Sequence, residues 1–524
     1  MARAAQLGAI LQGLRVRRTL VTTLAGYPNR GVAFAVGDLL PWCRCYRWRG
    51  TNDQESEMNK LLKGSLAVGG GAIAAAALRR IVHHEPEPKY EPWERPPYEE
   101  FPNRVLIVGG GFAGYTVAKT LAELIEDRDD VGIMVVSREN FFTYWPMVAG
   151  IISSDVEAKN IAQPLRRALI QYGASFRRAE LEDVDFEQKV VKAKGGLEFL
   201  YDHLVLALGS DPAFFGIPGV DEHCVSMRGL ADAERIRNRM IERFEEVTLE
   251  RDEAGTPDYE PPKSKLTFVV IGGNATGVEI ASELHSLAHE TLAPDYPTID
   301  MNRLRIMLVD SNEEVLKELD NALRRAARRH LEELGVEVIN NARAQEVTAD
   351  RVILDDGQEI ETENVIWTAG NRASVKVDEL DLPLQGEDGI ETDEYMRVPD
   401  RENVWAIGDC AANLDKDGEP VPSNAQAATQ EGEALAKNIL AAIDGSDELA
   451  PFEYKPLGQL VELGSRFAVN EVMGVKFRGL PAALFWRATY LFKLESPENR
   501  ARIAADWFLD LFFHPSVTQI RGRQ

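Results

Sequence analysis

The sequence predicts an α/β protein with two parallel, doubly wound sheets, and three observations carry that prediction. Short apolar segments alternate with helical patterns from residue 104 onward, the order that βαβ units require. Two of the strand-to-helix junctions carry glycine-rich turns, about 160 residues apart. Further apolar segments end on or beside glycine, at Gly209, Gly370 and Gly408.

Taken in order, 105–108 (VLIV) reads as a strand, followed by a Gly-rich turn and a helical pattern over 115–125. The next strands are 131–136 and 204–208, the latter closing on Gly209. Residues 231–247 read as a long charged helix whose exposed face is laced with i, i+4 pairs. After a linker at 257–265, a second strand–turn–helix starts at Leu266. Its following strand, 304–309, is delayed by an insert around 288–302. Later strands are expected at 365–368 and 404–407.

The first hundred residues differ in kind. Residues 1–50 hold eight Arg and a single acidic residue, Asp38. Such a basic, acid-poor start fits a transit peptide, and equally fits translated sequence upstream of the true start. Met58 opens a second leader, in which Lys60 and Lys63 precede an apolar Gly/Ala stretch at 64–78. A signal peptide, a weak membrane anchor and a flexible leader all stay open there. Residues 86–102, rich in Pro, Glu and Tyr, read as an extended linker. Residues 1–102 as a whole are expected to be a poorly ordered leader and linker.

At 524 residues the chain exceeds one compact domain, and its 44% hydrophobic content supports a sizeable core. A formal net charge of −25 argues against a nucleic acid partner. The four cysteines, Cys43, Cys45, Cys224 and Cys410, make neither a disulfide framework nor a zinc site, and no metal is expected. No apolar run reaches the roughly 18 residues of a membrane-spanning helix.

The chemistry is concentrated in the glycine turns. Gly109-Gly110-Gly111-Phe112-Ala113-Gly114 fits G-x-G-x-x-G between a strand and a helix. The first glycine permits a tight turn, the second lets a pyrophosphate approach the backbone, and the third lets helix and strand pack closely. The helix N-terminus adds unbonded N–H groups and a positive dipole. Gly272-Gly273-Asn274-Ala275-Thr276-Gly277 repeats the arrangement with Asn274 at the middle position. Asn tolerates unusual backbone angles, and its amide could itself bond phosphate. Asp310, at the end of the strand after this second turn, is placed to accept bonds from adenosine ribose hydroxyls, which favours NADH over its 2′-phosphorylated form. In the first site the corresponding residue is Ser137, followed by Arg138. Two such Rossmann-like sites in tandem suit hydride transfer between two dinucleotides, with the protein mainly binding and aligning the rings.

With these motifs in hand, the chain resembles the type II NADH:quinone oxidoreductases, of the glutathione-reductase-like flavoproteins with two dinucleotide-binding domains. The resemblance runs through residues 104–119, 204–218 (LVLALGSDPAFFGIP), 266–284, 365–373 (VIWTAGNRA) and 404–412 (VWAIGDCAA). It implies that Gly109, Gly110, Gly111, Phe112, Ala113, Gly114, Arg138, Gly209, Gly408 and Asp409 bind FAD, Asp409 through the ribityl chain. It implies that Gly272, Gly273, Asn274, Gly277, Asp310 and Gly370 bind NADH, and that Glu279 lies near nicotinamide and flavin as the catalytic carboxyl. The pattern AQxAxQ at Ala425, Gln426 and Gln430 is similar to the family's quinone pocket, with the two Gln as polar contacts. The expected domains are 103–256 with 371–450 for FAD, 266–370 for NADH, and 451–524 for membrane association.

What is missing sorts the members of that superfamily. No Cys lies between Cys45 and Cys224, so the paired redox cysteines of disulfide reductases are absent. A sulfide:quinone reductase-like enzyme would have only Cys224 and Cys410 to use. A soluble NADH:acceptor reductase and a redox interaction protein of the apoptosis-inducing-factor type would also need two nucleotide sites, and both stay open. His285 and His289 stand at i, i+4 but lack the HExxH order of a zinc site.

The C-terminal segment carries a physical argument for a membrane surface. Residues 451–524 hold ten Lys and Arg against seven Asp and Glu, a local excess of positive charge in an acidic chain, and twelve of its 41 aromatic residues. Residues 480–494 (LPAALFWRATYLFKL) and 502–513 (RIAADWFLDLFF) are too short and interrupted to span a bilayer. Arg502, Asp506 and Asp510 form a narrow polar stripe on the second, which suits an amphipathic helix lying in the interface. A homodimer interface or a cap over the core is the competing use of the same faces. The expected setting is the cytoplasmic face of a bacterial inner membrane, or else the mitochondrial inner membrane, with a membrane quinone as acceptor and no proton pumping.

Overall fold

Five short apolar segments from distant parts of the chain assemble the first sheet. The computed structural model describes residues 96–256, 259–446, 448–513 and 517–519, so what the sequence suggests for residues 1–95 lies outside the described residues. In this sheet Val404–Ala406, His203–Leu206, Asn103–Val108, Val131–Ser137 and Ser175–Arg178 lie side by side, all parallel. Its central strands are buried along nearly their whole length, as parallel strands covered on both faces must be. Val404–Ala406 returns to this sheet after the second one is complete, so the first sheet draws on separate stretches of the chain. The end of the proline-rich linker is tied to it: Tyr98 is buried and its hydroxyl donates to the Leu200 carbonyl at 3.1 Å.

The second sheet runs Cys224–Ser226, Asn364–Trp367, Thr267–Ile271, Arg305–Val309, Val336–Ile339, again all parallel. Cys224–Ser226, which the sequence reading leaves inside 103–256, is thus an edge strand here, in register with Val365, Ile366 and Trp367. Three residues carry too little periodicity to reveal which sheet they join. The chain passes between the sheets on an antiparallel pair, Ser210–Pro212 with Asn371–Ala373.

Helices cover both sheets. Phe112–Leu124 packs against Ala425–Ile443, and Gly432 permits the approach, since a Cβ there would lie 2.9 Å from the Ala113 carbonyl oxygen. The charged helix extends over Leu230–Ala254, buries Ile236, Met240, Phe244 and Val247, and ends where Gly255 turns left-handed at φ 63°.

The C-terminal region, expected as membrane-associating helices, also holds a sheet. Gly458–Glu462, Ala468–Val472 and Val475–Gly479 form an antiparallel three-stranded sheet ahead of helices Leu480–Lys493 and Pro497–Leu509. The polar stripe on the last helix turns partly inward: Asp506 accepts from Asn160 Nδ2 at 3.2 Å, while Phe508 and Leu509 stay exposed. Arg502 pairs with Glu498 on the exposed side, and Asp510 follows the last helical residue.

Candidate active site

At the first glycine turn, two glycines are spent on the backbone and one is left open. A Cβ on Gly109, whose φ is 120°, would strike the Ala207 carbonyl oxygen, and one on Gly114 would strike that of Gly109. Around Gly111 nothing lies within 4 Å of such a Cβ. Gly111 is also the N-cap of the helix and no side chain caps it. The seat therefore fits a pyrophosphate: an open glycine over a helix N-terminus that no side chain satisfies. Gly209 (φ 73°) and Gly408 (φ 70°) lie where the neighbouring strands of this sheet end. Phe112 and Ala113 open the helix, and Arg138, just past the second strand, is exposed beside Glu139. The Gly408-Asp409 turn is braced by a side-chain hydrogen bond. Ser210 Oγ donates to Asp409 at 2.9 Å, and burial pushes the Asp409 carboxyl up.

Glu431 is a residue that sequence reasoning missed. It lies buried one position beyond Gln430, accepts from the Gly408 N–H at 2.7 Å and from Asn413 Nδ2 at 2.7 Å, and so fixes the turn that presents Asp409. Burial raises its pKa to about 6.

The second turn repeats the closure, since a Cβ on Gly277 would meet the Gly272 carbonyl oxygen at 1.8 Å. It differs at its centre. Asn274 caps its own helix, accepting from Gly277 N–H at 2.9 Å, and its Nδ2 donates to the Thr368 carbonyl at 2.8 Å. Both ends of the amide are thus engaged within the protein, where the sequence reading offers it to phosphate. Asp310 is buried and its carboxylate accepts from Gly273 N–H and from both the N–H and the side-chain amide of Asn312. It holds the glycine loop, and a ribose would share an acceptor already in use. Gly370 follows the last strand of this sheet at φ 80°.

Glu279 lies on this second helix, Ala275–Ser286, half-buried, with its carboxyl accepting from the Glu462 backbone N–H. Loss of water pushes its pKa up to about 8, with the charge of Glu283 adding to the rise. Glu283, one turn on, is buried and is also pushed up to about 8, chiefly by desolvation and then by Asp155. The glutamines of the AQxAxQ segment turn to the backbone. Gln426 Oε1 accepts from the Tyr454 hydroxyl at 3.0 Å and from Leu457 N–H at 2.9 Å, and Gln430 exchanges two bonds with the backbone of Lys455. They pin 454–458, the chain entering the C-terminal sheet, while Ala425 opens their helix.

Among the described residues Cys224 and Cys410 are free thiols. Cys410 is buried with its sulfur 3.2 Å from the Leu208 nitrogen, which suits a small packed residue. The rings of His285 and His289 stack at 4.4 Å.

If Asn274 occupies a helix N–H that the nucleotide needs, Asn274→Gly tightens NADH binding by roughly three- to tenfold, the worth of one net hydrogen bond. The lost cap costs only about a few tenths of a kcal/mol, so the variant folds. Fluorescence titration with NADH measures it, and weaker binding would mean that the amide serves the ligand instead. Because Glu283 has a folded-state pKa raised from 4.5 to about 8, its burial favours folding at low pH and loses that contribution as pH rises through this window. Thermal melts from pH 5 to 8 should show a falling melting temperature, with a shallower fall in Glu283→Gln by about 1 kcal/mol or more; parallel curves would contradict it.

Known proteins resemble this chain over most of its length. A family model described as pyridine nucleotide-disulphide oxidoreductase matches residues 103–432. The type II NADH:quinone oxidoreductase Ndh of Mycobacterium tuberculosis is 30% identical over 438 residues, covering 80% of this chain and 90% of the relative. A probable NADH dehydrogenase of Dictyostelium discoideum is 29% identical over 425 residues, 79% of this chain and 91% of its own. The solved structure of NDH2 from Plasmodium falciparum in complex with NADH superimposes with a TM-score of 0.71 at 18% identity, over 79% of this chain and 99% of that one, a likeness of fold. The chain belongs to the pyridine nucleotide-disulphide oxidoreductase family and, within it, to the type II NADH:quinone oxidoreductases.

Proposed function

We propose that this chain is a non-proton-pumping NADH:quinone oxidoreductase in which hydride passes from NADH to FAD and two electrons then pass to a membrane quinone. The observation that carries the reading is the pair of glycine-closed helix N-termini in one chain, one open at Gly111 and one trimmed by Asn274. FAD, when bound, supplies a two-electron acceptor that takes hydride and releases electrons. The protein's own residues bind and orient. Gly109, Gly111 and Gly114 seat one pyrophosphate, Asp409 holds the flavin side, and Gly272, Gly277 and Asp310 seat NADH. Glu279, its carboxyl pushed up to about 8 chiefly by loss of water, would hold a proton at neutral pH. Gln426 and Gln430 act by fixing the wall at 454–458 behind the quinone.

The exposed apolar side chains support a peripheral membrane dock. Leu480, Leu484, Phe492, Leu511, Phe512 and Phe513 are each more than half exposed, within the segment richest in aromatic residues. An apolar cluster of this kind marks an interaction surface. No described helix is long and apolar enough to cross a membrane. Quinone is lipid-soluble, so a site behind this surface would meet it from the bilayer. The setting we favour is the cytoplasmic face of a bacterial inner membrane; a transit peptide at residues 1–50 would place the enzyme on a mitochondrial inner membrane instead.

Initial rates at varied NADH and quinone should give parallel double-reciprocal lines, and in sealed vesicles turnover should move no protons across the membrane. Intersecting lines would replace the two-step order with a ternary complex, and NADH-driven acidification would remove the non-pumping assignment. Phe512→Glu/Phe513→Glu should lower binding to anionic lipid vesicles by at least about tenfold, because two apolar contacts worth about 1.5 kcal/mol or more each are lost. Unchanged binding would move the dock elsewhere.

A further inference from the structure

At the crossing between the two sheets stands an aromatic side chain whose placement the packing of the fold does not use. After Gly209 the chain runs along Ser210–Pro212 and turns at 214–217, where the Ile217 N–H donates to the Phe214 carbonyl at 3.0 Å. Both central residues of that turn have positive φ, 52° at Phe215 and 67° at Gly216. Such a turn favours Asn or Gly at its first centre, because a Cβ there crowds the backbone. Phe215 is the one aromatic residue at positive φ among the described residues. Leu316 and Met396 share that backbone geometry, but both are buried and the core holds them. Phe215 is 64% exposed. Its neighbour Phe214 does the packing, meeting Trp367 edge-on at 6.5 Å and lying 5.6 Å from the Arg228 guanidinium. The Trp367 indole N–H adds a bond to the Ala213 carbonyl at 2.9 Å. The turn is clamped by these contacts, and the Phe215 ring is left open to solvent.

What the ring does touch is the backbone of Gly370, where a Cβ would lie 2.6 Å from Phe215 Cζ. Gly370 belongs to the mouth of the second sheet. The two residues before it close on the second glycine turn: a Cβ on Gly272 would meet the Ala369 nitrogen and Thr368 Oγ1, each at 2.8 Å. The Thr368 carbonyl also takes the Asn274 amide. Phe215 therefore stands beside the NADH seat, on the stretch of chain that has just left Gly209 at the end of a strand of the first sheet. Hydride can pass only where the nicotinamide ring faces the flavin, and two seats on two sheets bring those rings together at the crossing between them. We infer that the exposed ring of Phe215 is a binding face for the nicotinamide half of the dinucleotide, packing against it and holding it towards the flavin. The strained backbone keeps the ring in that position, a cost that Asn or Gly would remove. The inference rests on the NADH-oxidising reading above.

The test uses the full chain loaded with FAD, with Phe215→Asn, Phe215→Gly and Phe215→Tyr. Asn and Gly suit the positive φ, so both variants should melt at or above the temperature of the parent protein. The same two should raise the KM for NADH and the dissociation constant of NAD by about fivefold or more, the worth of a lost aromatic contact. The KM for a short-chain quinone should stay within about twofold. Binding of ADP-ribose, which has the adenosine and the pyrophosphate but no nicotinamide, should also change by less than about twofold. Phe215→Tyr keeps a ring and should recover most of the affinity for NAD. Unchanged NAD binding in the Asn and Gly variants would overturn the inference. Lowered melting temperature or lost flavin in both would show that the ring serves the fold, and would overturn it too. Equal losses for NAD and ADP-ribose would move the ring to the adenosine half and contradict the assignment. A parent protein whose flavin is not bleached by NADH would instead overturn the NADH-oxidising reading itself.

Discussion

Everything at the two nucleotide seats depends on how closely a glycine in the helix can sit on the carbonyl of the glycine that opens the turn. Gly114 over Gly109 and Gly277 over Gly272 leave no room for a Cβ. That contact lets the helix start tightly against the strand, so that its N-terminal N–H groups point at the mouth of the sheet. With the closure built twice on sheets joined by one antiparallel pair of short strands, a single chain can hold two dinucleotides. The Glu431 carboxylate on the Gly408 N–H and the Asp310 carboxylate on the Gly273 N–H serve the same end, since each stiffens a loop that must present backbone to a ligand.

The second constraint is electrostatic. The C-terminal sheet and helices share one apolar core with the rest of the chain, through Val461, Leu463, Trp486, Leu494 and Ile503, and within that packing Arg487 holds two buried carboxyls, Asp155 and Glu462. A buried ion pair contributes little net stability and is costly to break. Its value here is placement: Arg487 ties helix Leu480–Lys493 to Glu462 of the C-terminal sheet and to Asp155.

How much of this was legible from sequence depended on the range of each contact. The glycine turns were readable because their geometry is local: a turn, the strand before it and the helix after it. Asp310, expected to meet a ribose, instead bonds Gly273 and Asn312. Asn274 was visible as a departure, but its engagement with Thr368 depends on a strand nearly a hundred residues away. Glu431 and Glu283 gave no sign, since a Glu on a helix is ordinary until the fold buries it. The three-stranded sheet at 458–479 was hidden by short strands and weak alternation. On the last helix the spacing of Arg502, Asp506 and Asp510 reads as one polar stripe, but the helix stops before Asp510, Arg502 pairs with Glu498, and Asn160 on a distant turn takes Asp506.

Whether one chain seats both dinucleotides and hands electrons on to quinone can be decided by stopped-flow absorbance of the FAD-loaded protein in the oxidised flavin band, with NADH added first and a short-chain quinone second. Rapid bleaching on NADH is expected, then recovery driven by quinone, each step independent of the other ligand. Absence of bleaching in flavin-loaded protein would contradict the second nucleotide seat, and bleaching without quinone-driven recovery would contradict the acceptor.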